Sequence, residues 1–184
     1  MTVAGGVAYA LDDALYAYDA STGALKFKTA QHGYFETPVV SNGVVFVTTN
    51  TDVVARNAST GGLLWSTRAT GTGDVINSTV AVDGATVVAT TSRYLEAFSA
   101  STGARIWRFD SGSDSSDYAV PAIANGVVYA GSIGNGLQAV NEATGHVYFT
   151  SHNGYCESPV VSHARVWASC LDSHGAEQET AFGL

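Results

Sequence analysis

Short apolar runs, rich in Val and other β-branched residues, recur along the whole chain with turn-forming breaks between them, and no long Ala/Leu/Glu/Lys helical pattern intervenes. In one representative stretch the runs fall at residues 38–41, 44–48, 53–57 and 63–67 and read as four short strands, A to D. Asn42-Gly43, Asp83-Gly84 and Asn125-Gly126 each lie between two Val-rich runs, and Gly5-Gly6 opens the chain in the same phase. Such dipeptides predict two-residue hairpins of type I′, because that turn needs positive φ at both central residues. Pro38, Pro121 and Pro159 share one slot, at the start of strand A, where a missing N–H costs little; Thr79 holds that slot in the remaining repeat.

A second landmark confirms that the runs form a repeat. Residues 19–23, 57–61, 99–103 and 141–145 align without gaps, each ending in Thr-Gly, at Gly23, Gly61, Gly103 and Gly145. Six residues before each glycine stands an alanine (Ala17, Ala55, Ala97, Ala139), and four after it a large aromatic (Phe27, Trp65, Trp107, Phe149). Asx-Ala-Ser-Thr-Gly suits a C–D turn in which Asx or Ser caps the backbone and Gly takes the left-handed position. The small alanine on strand C lets neighbouring sheets approach, and the aromatic on strand D fills the wider gap toward the rim. Four-stranded antiparallel units of about 40 residues, repeated, predict an all-β chain: a β-propeller of WD40-like build.

The segment Leu15-Tyr16-Ala17-Tyr18-Asp19-Ala20-Ser21-Thr22-Gly23, closed by Trp65 or Trp107 in later repeats, resembles the PQQ-like (pyrroloquinoline-quinone-type) propeller repeat. The resemblance covers residues 2–184 and implies that the strand-D tryptophan docks on the adjacent blade, with weaker docking where Phe27 and Phe149 replace it. About 4.5 repeats are present, at approximately 2–30, 37–68, 78–110, 120–150 and 158–184, in one domain. On this reading the chain begins in strand B of one blade, holds three full blades and ends in strand C of another. The family closes rings of seven or eight blades, roughly 280–340 residues at ~40 per blade. Three readings stand side by side: a partial propeller with missing blades elsewhere, a half-ring closed by homodimerisation, and a small self-closed ring.

Charge narrows the partners. Lys plus Arg number 8 against 16 Asp plus Glu, a formal charge of −8, and only Lys26 and Lys28 are lysines. Nucleic acid and anionic membrane surfaces are disfavoured, because phosphate binding needs clustered cations. No run reaches the ~18–20 apolar residues of a membrane helix. Residues 1–6 lack the basic and apolar regions of a signal peptide. Cys156 and Cys170 flank a hairpin centred near His163-Ala164. They lie nearly opposite each other, either bridged or as two buried thiols. A bridge would point to an extracytoplasmic, periplasmic or secreted setting.

Candidate chemistry gathers on the D–A connections (28–36, 68–77, 108–119, 150–157), which differ most between repeats, whereas the A–B and C–D turns stay uniform. The first and last match in their His, Tyr and Glu: His32, Tyr34 and Glu36 against His152, Tyr155 and Glu157. Asp110, Asp114 and Asp117 form an acidic run that departs from an EF-hand and reads as a solvated loop. Cys156, His163, Cys170 and His174 fit no zinc pattern, and Trp65, Trp107 and Trp167 read as core or inter-blade packing.

The expected role is a non-enzymatic binding or scaffold module that holds a protein or small polar ligand on the D–A face (His32, Tyr34, Glu36, Asn77, Asp110, Asp114, Asp117, His152, Tyr155 and Glu157), with no cofactor and no catalytic residue. The resemblance also implies an alternative, part of a quinoprotein dehydrogenase using PQQ and Ca²⁺. Such enzymes carry an adjacent-cysteine disulfide against the quinone, and a Glu, Asn and Asp set for the calcium ion. This chain lacks the cysteine pair, but Glu36, Asn77 and Glu157 occupy comparable lead-in slots to strand A, with Ala119 in the fourth. A third reading, a carbohydrate-binding surface, would use Tyr34 and Tyr155.

Overall fold

The computed structural model describes residues 1–30, 36–69, 71, 74–76, 78–110, 119–132, 136–151, 154–163, 165–171 and, as backbone alone, 177–183. No helix occurs among them. Blade one consists of β1 (Thr2–Ala4), β2 (Val7–Leu11), β3 (Leu15–Asp19) and β4 (Leu25–Thr29). Blade two holds β5 (Val39–Ser41), β6 (Val44–Thr48), β7 (Asp52–Asn57) and β8 (Leu63–Arg68). Blade three holds β9 (Ala81–Asp83), β10 (Thr86–Thr90), β11 (Tyr94–Ser99) and β12 (Arg105–Asp110). Blade four holds β13 (Ala122–Ala124), β14 (Val127–Ser132), β15 (Gly136–Asn141) and β16 (Val147–Thr150). In each of these blades the strands pair antiparallel in chain order. Blade five contains β17 (Tyr155–Cys156) and β18 (Val160–Ser162), both paired with β19 (Arg165–Leu171), and β20 (Glu177–Gly183) paired with β19 along its length.

The first blade therefore corrects the expectation that the chain opens in strand B: Thr2–Ala4 is its strand A, paired with Val7–Tyr9 across the Gly5-Gly6 turn. The innermost strands of successive blades are neighbours, β1 with β5, β5 with β9, β9 with β13 and β13 with β18. Four apolar clusters fill the four junctions between blades. Ala17, Ala55, Ala97 and Ala139 sit at the centres of those clusters, at most 2 % exposed, where a larger side chain would hold the sheets apart.

Asn42-Gly43 and Asn125-Gly126 take positive φ at both residues, as a type I′ turn demands. The third repeat departs from the expected frame. Thr86 pairs with Asp83 and Val88 with Ala81, so Gly84 and Ala85 form the turn, and only Gly84 of these takes positive φ. A glycine-first hairpin of type II′ matches strand twist as well as type I′, and here it brings Val82 opposite Val87. Val80, buried at 3 %, therefore holds the proline slot in place of Thr79, and Ser78 holds the lead-in slot that the sequence assigned to Asn77.

Three of the four junctions are each latched by one hydrogen bond to the first carbonyl of the next C–D turn. Trp65 Nε1 donates to Ala100 O at 2.9 Å, and Trp107 Nε1 to Glu142 O at 2.6 Å. At the first junction, where Phe27 has no donor, Tyr9 Oη on strand B donates to Ala58 O at 2.9 Å. The substitution of Phe for Trp thus relocates the latch. The turn glycines meet the same aromatics. A Cβ on Gly61 would lie 2.7 Å from the Phe27 ring, and one on Gly103 2.7 Å from the Trp65 ring. Trp167, expected in a core or junction, is 42 % exposed on β19.

Candidate functional site

The D–A and B–C connections share one end of the blades, and the inner strands lead into it. By register the lead-in slots of blades two to five hold Glu36, Ser78, Ala119 and Glu157. Hydroxyls next to these slots tie adjacent blades together. Thr79 Oγ1 donates to Glu36 Oε2 at 2.9 Å and accepts from Thr37 N at 3.2 Å. Ser158 Oγ accepts from Val120 N at 3.1 Å. Burial raises the Glu36 carboxyl above the ordinary glutamate value, opposed by the Thr79 hydrogen bond. Glu157 and Val120 are exposed, and Ser78 is buried against Thr90, hydroxyl to hydroxyl.

The B–C turns build the surrounding rim. Thr91 Oγ1 accepts from Arg93 N and Tyr94 N, at 3.2 and 2.8 Å, and Thr49 Oγ1 does the same for Thr51 N and Asp52 N. Charged side chains from two B–C turns meet the ends of strand D. Arg93 meets Asp110 at 3.1 Å, while in blade one Asp13 meets Lys28 at 3.5 Å and accepts from Tyr16 Oη at 2.7 Å. Asp110 is thus the last residue of β12 and forms an ion pair, which corrects its assignment to a solvated loop.

Cys156 and Cys170 form a disulfide, S–S 2.06 Å, between paired positions of β17 and β19. The bridge settles the open alternative and removes both sulfurs from any zinc set. It sits beside the lead-in residue Glu157, whose N–H donates to Ser169 O at 2.9 Å. Gly131 of blade four lies against this strand: a Cβ there would run into the backbone oxygens of Cys156 and Glu157.

Of the sequence-assigned face, the structure brings Glu36, Asp110, Tyr155 and Glu157 to this end of the blades. His32, Tyr34, Asn77, Asp114, Asp117 and His152, with His174, lie outside the described residues. The lead-in slots do not reproduce the Glu, Asn and Asp set implied by the resemblance to quinoprotein dehydrogenases: Ser78 and Ala119 stand between Glu36 and Glu157. The cysteines are a buried cross-strand pair, not an adjacent one.

Sequence reasoning missed Glu96. This fully buried carboxylate on β11 accepts from Arg105 Nε at 2.5 Å and from Arg108 Nη2 at 2.8 Å. The same guanidinium groups reach back to blade two, Arg105 to Arg68 O at 3.0 Å and Arg108 to Ala69 O at 3.1 Å. Burial raises the Glu96 carboxyl, and Arg108 and Arg105 oppose that rise. A charged residue in a strand-C position held by Tyr16, Val54 and Gln138 in other blades was the available signal.

The comparisons with known proteins follow this geometry. The family model described as outer membrane protein assembly factor BamB, of the PQQ type, matches residues 1–94 and 91–179. BamB from Moraxella catarrhalis superposes with a TM-score of 0.72 at 17 % identity, over 99 % of this chain and 62 % of that one. The quinohemoprotein alcohol dehydrogenase ADHIIG from Pseudomonas putida HK5 superposes with a TM-score of 0.69 at 18 % identity, over 99 % of this chain and 41 % of that one. The computationally designed Ika4 protein gives 0.64 at 14 % identity, over 82 % and 94 %. The chain thus spans less than two thirds of the first two, and at these identities the likeness shows the fold. The search of curated proteins finds no match. With the repeat, the blade order and a family model spanning nearly all of its length in agreement, the chain belongs to the PQQ-like β-propeller family of the outer membrane protein assembly factor BamB.

Proposed function

We propose that the chain is a non-enzymatic binding or scaffold module that receives a protein partner on the end of the blades carrying its D–A and B–C connections. One observation carries this reading: the two ends of the blades are used differently. At the A–B and C–D end, the same turn carbonyl, aromatic donor and glycine recur from junction to junction and are consumed in holding blades together. At the other end each blade differs. Blade one has its Asp13–Lys28 pair, blade three its Arg93–Asp110 pair, blade two the half-buried Glu36, and blade five a disulfide beside Glu157. Varied polar chemistry on a uniform scaffold is what a macromolecular partner can read.

Two further facts support a protein partner outside the cytoplasm. The family description concerns outer membrane protein assembly, and a buried disulfide forms in oxidising compartments. The acid-rich face favours a basic partner surface, with affinity that falls as salt rises.

A photo-reactive amino acid placed at Val120 or Ser158 tests this against one placed at Ser59 or Ser21, in an extract of the source cell. The expected result is a discrete cross-linked protein from the first pair alone, competed by unlabelled chain and weakened by salt. Equal labelling from both ends would refute the assignment of the face. Dye-linked alcohol oxidation after loading with quinone and calcium would refute the non-enzymatic reading.

A further inference from the structure

We infer that the crevice between blades one and two, at the A–B and C–D end and so opposite the face proposed above, binds a small organic carboxylate with an apolar body. The crevice has a volume of about 600 Å³, and its walls include Val7, Tyr9, Val40, Asn42, Ala58 and Lys26. That volume falls within the range of small-molecule sites, and Ser41, Asn42 and Ser59 beside the valines give the open crevice a wall of mixed polar and apolar character.

The latch differs at this junction. At the next two junctions an indole from strand D reaches across to the turn carbonyl, Trp65 to Ala100 and Trp107 to Glu142. Here strand D supplies the smaller Phe27 ring, tilted 6.4 Å from the Tyr9 ring, and the phenol takes the hydrogen bond to Ala58 from strand B. The donor and acceptor of that bond, Tyr9 and Ala58, both stand in the crevice wall. Blade four repeats the phenol and phenyl, as Tyr129 and Phe149.

The cation distinguishes this crevice. Lys26 occupies the strand-D position that holds Leu64, Ile106 and Tyr148 in the following blades, all three exposed. Only here, among the described residues, does the pairing of a strand-B phenol with a strand-D phenyl coincide with a lysine. An exposed ammonium among the wall residues of a crevice that also offers apolar surface favours a negative head group. One point charge, with no arginine fork among the lining residues, suits a monoanionic carboxylate better than a phosphate. Val7 and Val40 offer apolar surface to the rest of the molecule.

The probe is 4-phenylbutyrate, with 4-phenylbutan-1-ol and 4-phenylbutylamine as neutral and cationic counterparts, followed by amide shift mapping and saturation-transfer NMR on the intact chain. Saturable carboxylate binding is expected, with shifts at Gly5, Asn42, Gly43 and Ser59. Lys26→Leu, which installs the blade-two residue on an exposed position, should weaken the carboxylate about tenfold and leave the alcohol unchanged. Lys26→Glu should turn the preference toward the amine. Tyr9→Phe with Phe27→Trp transplants the blade two–three latch, takes the phenol out of the crevice wall and should weaken binding of all three. Absence of saturable carboxylate binding to the wild type, shifts elsewhere on the surface, or Lys26 variants with unaltered preference would overturn the inference.

Discussion

Gly103→Ala should cost far more stability than Gly23→Ala, although the two glycines hold equivalent places in their turns and share nearly the same backbone, φ +72° and +73°. Both alanines enter the left-handed region, which costs an L-residue about 1 kcal/mol. At Gly23 nothing lies within 4 Å of the new Cβ, so that cost stands alone. At Gly103 the Cβ would stand 2.7 Å from two carbons of the Trp65 ring and from Thr67 Oγ1. Neither neighbour is free to yield: the indole donates to Ala100 O at 2.9 Å, and the Thr67 hydroxyl donates to Gly103 O at 2.8 Å. Overpacking a held contact costs about 1–3 kcal/mol more. The difference between the variants is therefore about 2 kcal/mol, a gap in Tm of roughly 4–8 °C for a domain of this size.

Urea and thermal unfolding of both variants give the comparison, and hydrogen exchange locates the loss, since stacked repeats open junction by junction. Protection should fall across blades two and three in Gly103→Ala. Gly61→Ala, facing Phe27, and Gly145→Ala, facing Trp107, should behave like Gly103→Ala. Equal destabilisation at Gly23 and Gly103 would show that backbone conformation alone explains the turn glycine, and the account of the junction would fail.

Glu96→Gln should destabilise by about 3 kcal/mol, because two guanidinium groups then face each other with no carboxylate between them, and protection should fall between blades two and three by hydrogen exchange. Glu36→Gln should act in the opposite sense and only at higher pH. Burial raises the folded carboxyl above its unfolded value, so the wild-type penalty is absent below about pH 4.5 and complete above the raised value. The variant's Tm should exceed wild type at pH 7 and match it at pH 4. Replacing Cys156 and Cys170 together by alanine should cost about 3 kcal/mol for a bridge across 14 residues, with exchange rising first in blade five.

The blade architecture was legible because its landmarks are local. Positive φ demands Gly or Asn within a two-residue turn, and the Thr-Gly turns repeat at a fixed distance from their alanines and aromatics. The frame of blade three was misread for the same reason. Asp83-Gly84 is the better local turn, and only pairing with β10, which sets Val82 against Val87, selects Gly84 and Ala85. Glu96 was illegible because one carboxylate in a strand carries no sign of the two arginines that fold over it from β12. The disulfide was half legible. Hairpin spacing placed the cysteines opposite one another, but only the register, Cys156 against Cys170, puts both side chains on one face. Asp110 shows the limit of reading charge runs, since it ends strand β12 and its partner Arg93 comes from a B–C turn 17 residues away.

Pairs of substitutions within a repeat say more than single ones. Tyr9 accompanies Phe27, Tyr129 accompanies Phe149, Phe46 accompanies Trp65 and Val88 accompanies Trp107. A phenol on strand B thus goes with a phenyl on strand D, and an indole on strand D goes with no donor on strand B. The rule follows from the turn carbonyl it serves. A buried oxygen left without a donor costs about 1–3 kcal/mol, so each blade needs one N–H or O–H there, and either strand can supply it. Two aromatic donors aimed at one oxygen would compete for the same space. Since this requirement is met at the first three junctions by one donor or the other, departures it does not demand, such as Lys26 among Leu64, Ile106 and Tyr148, are the positions where selection for something other than stability should be sought.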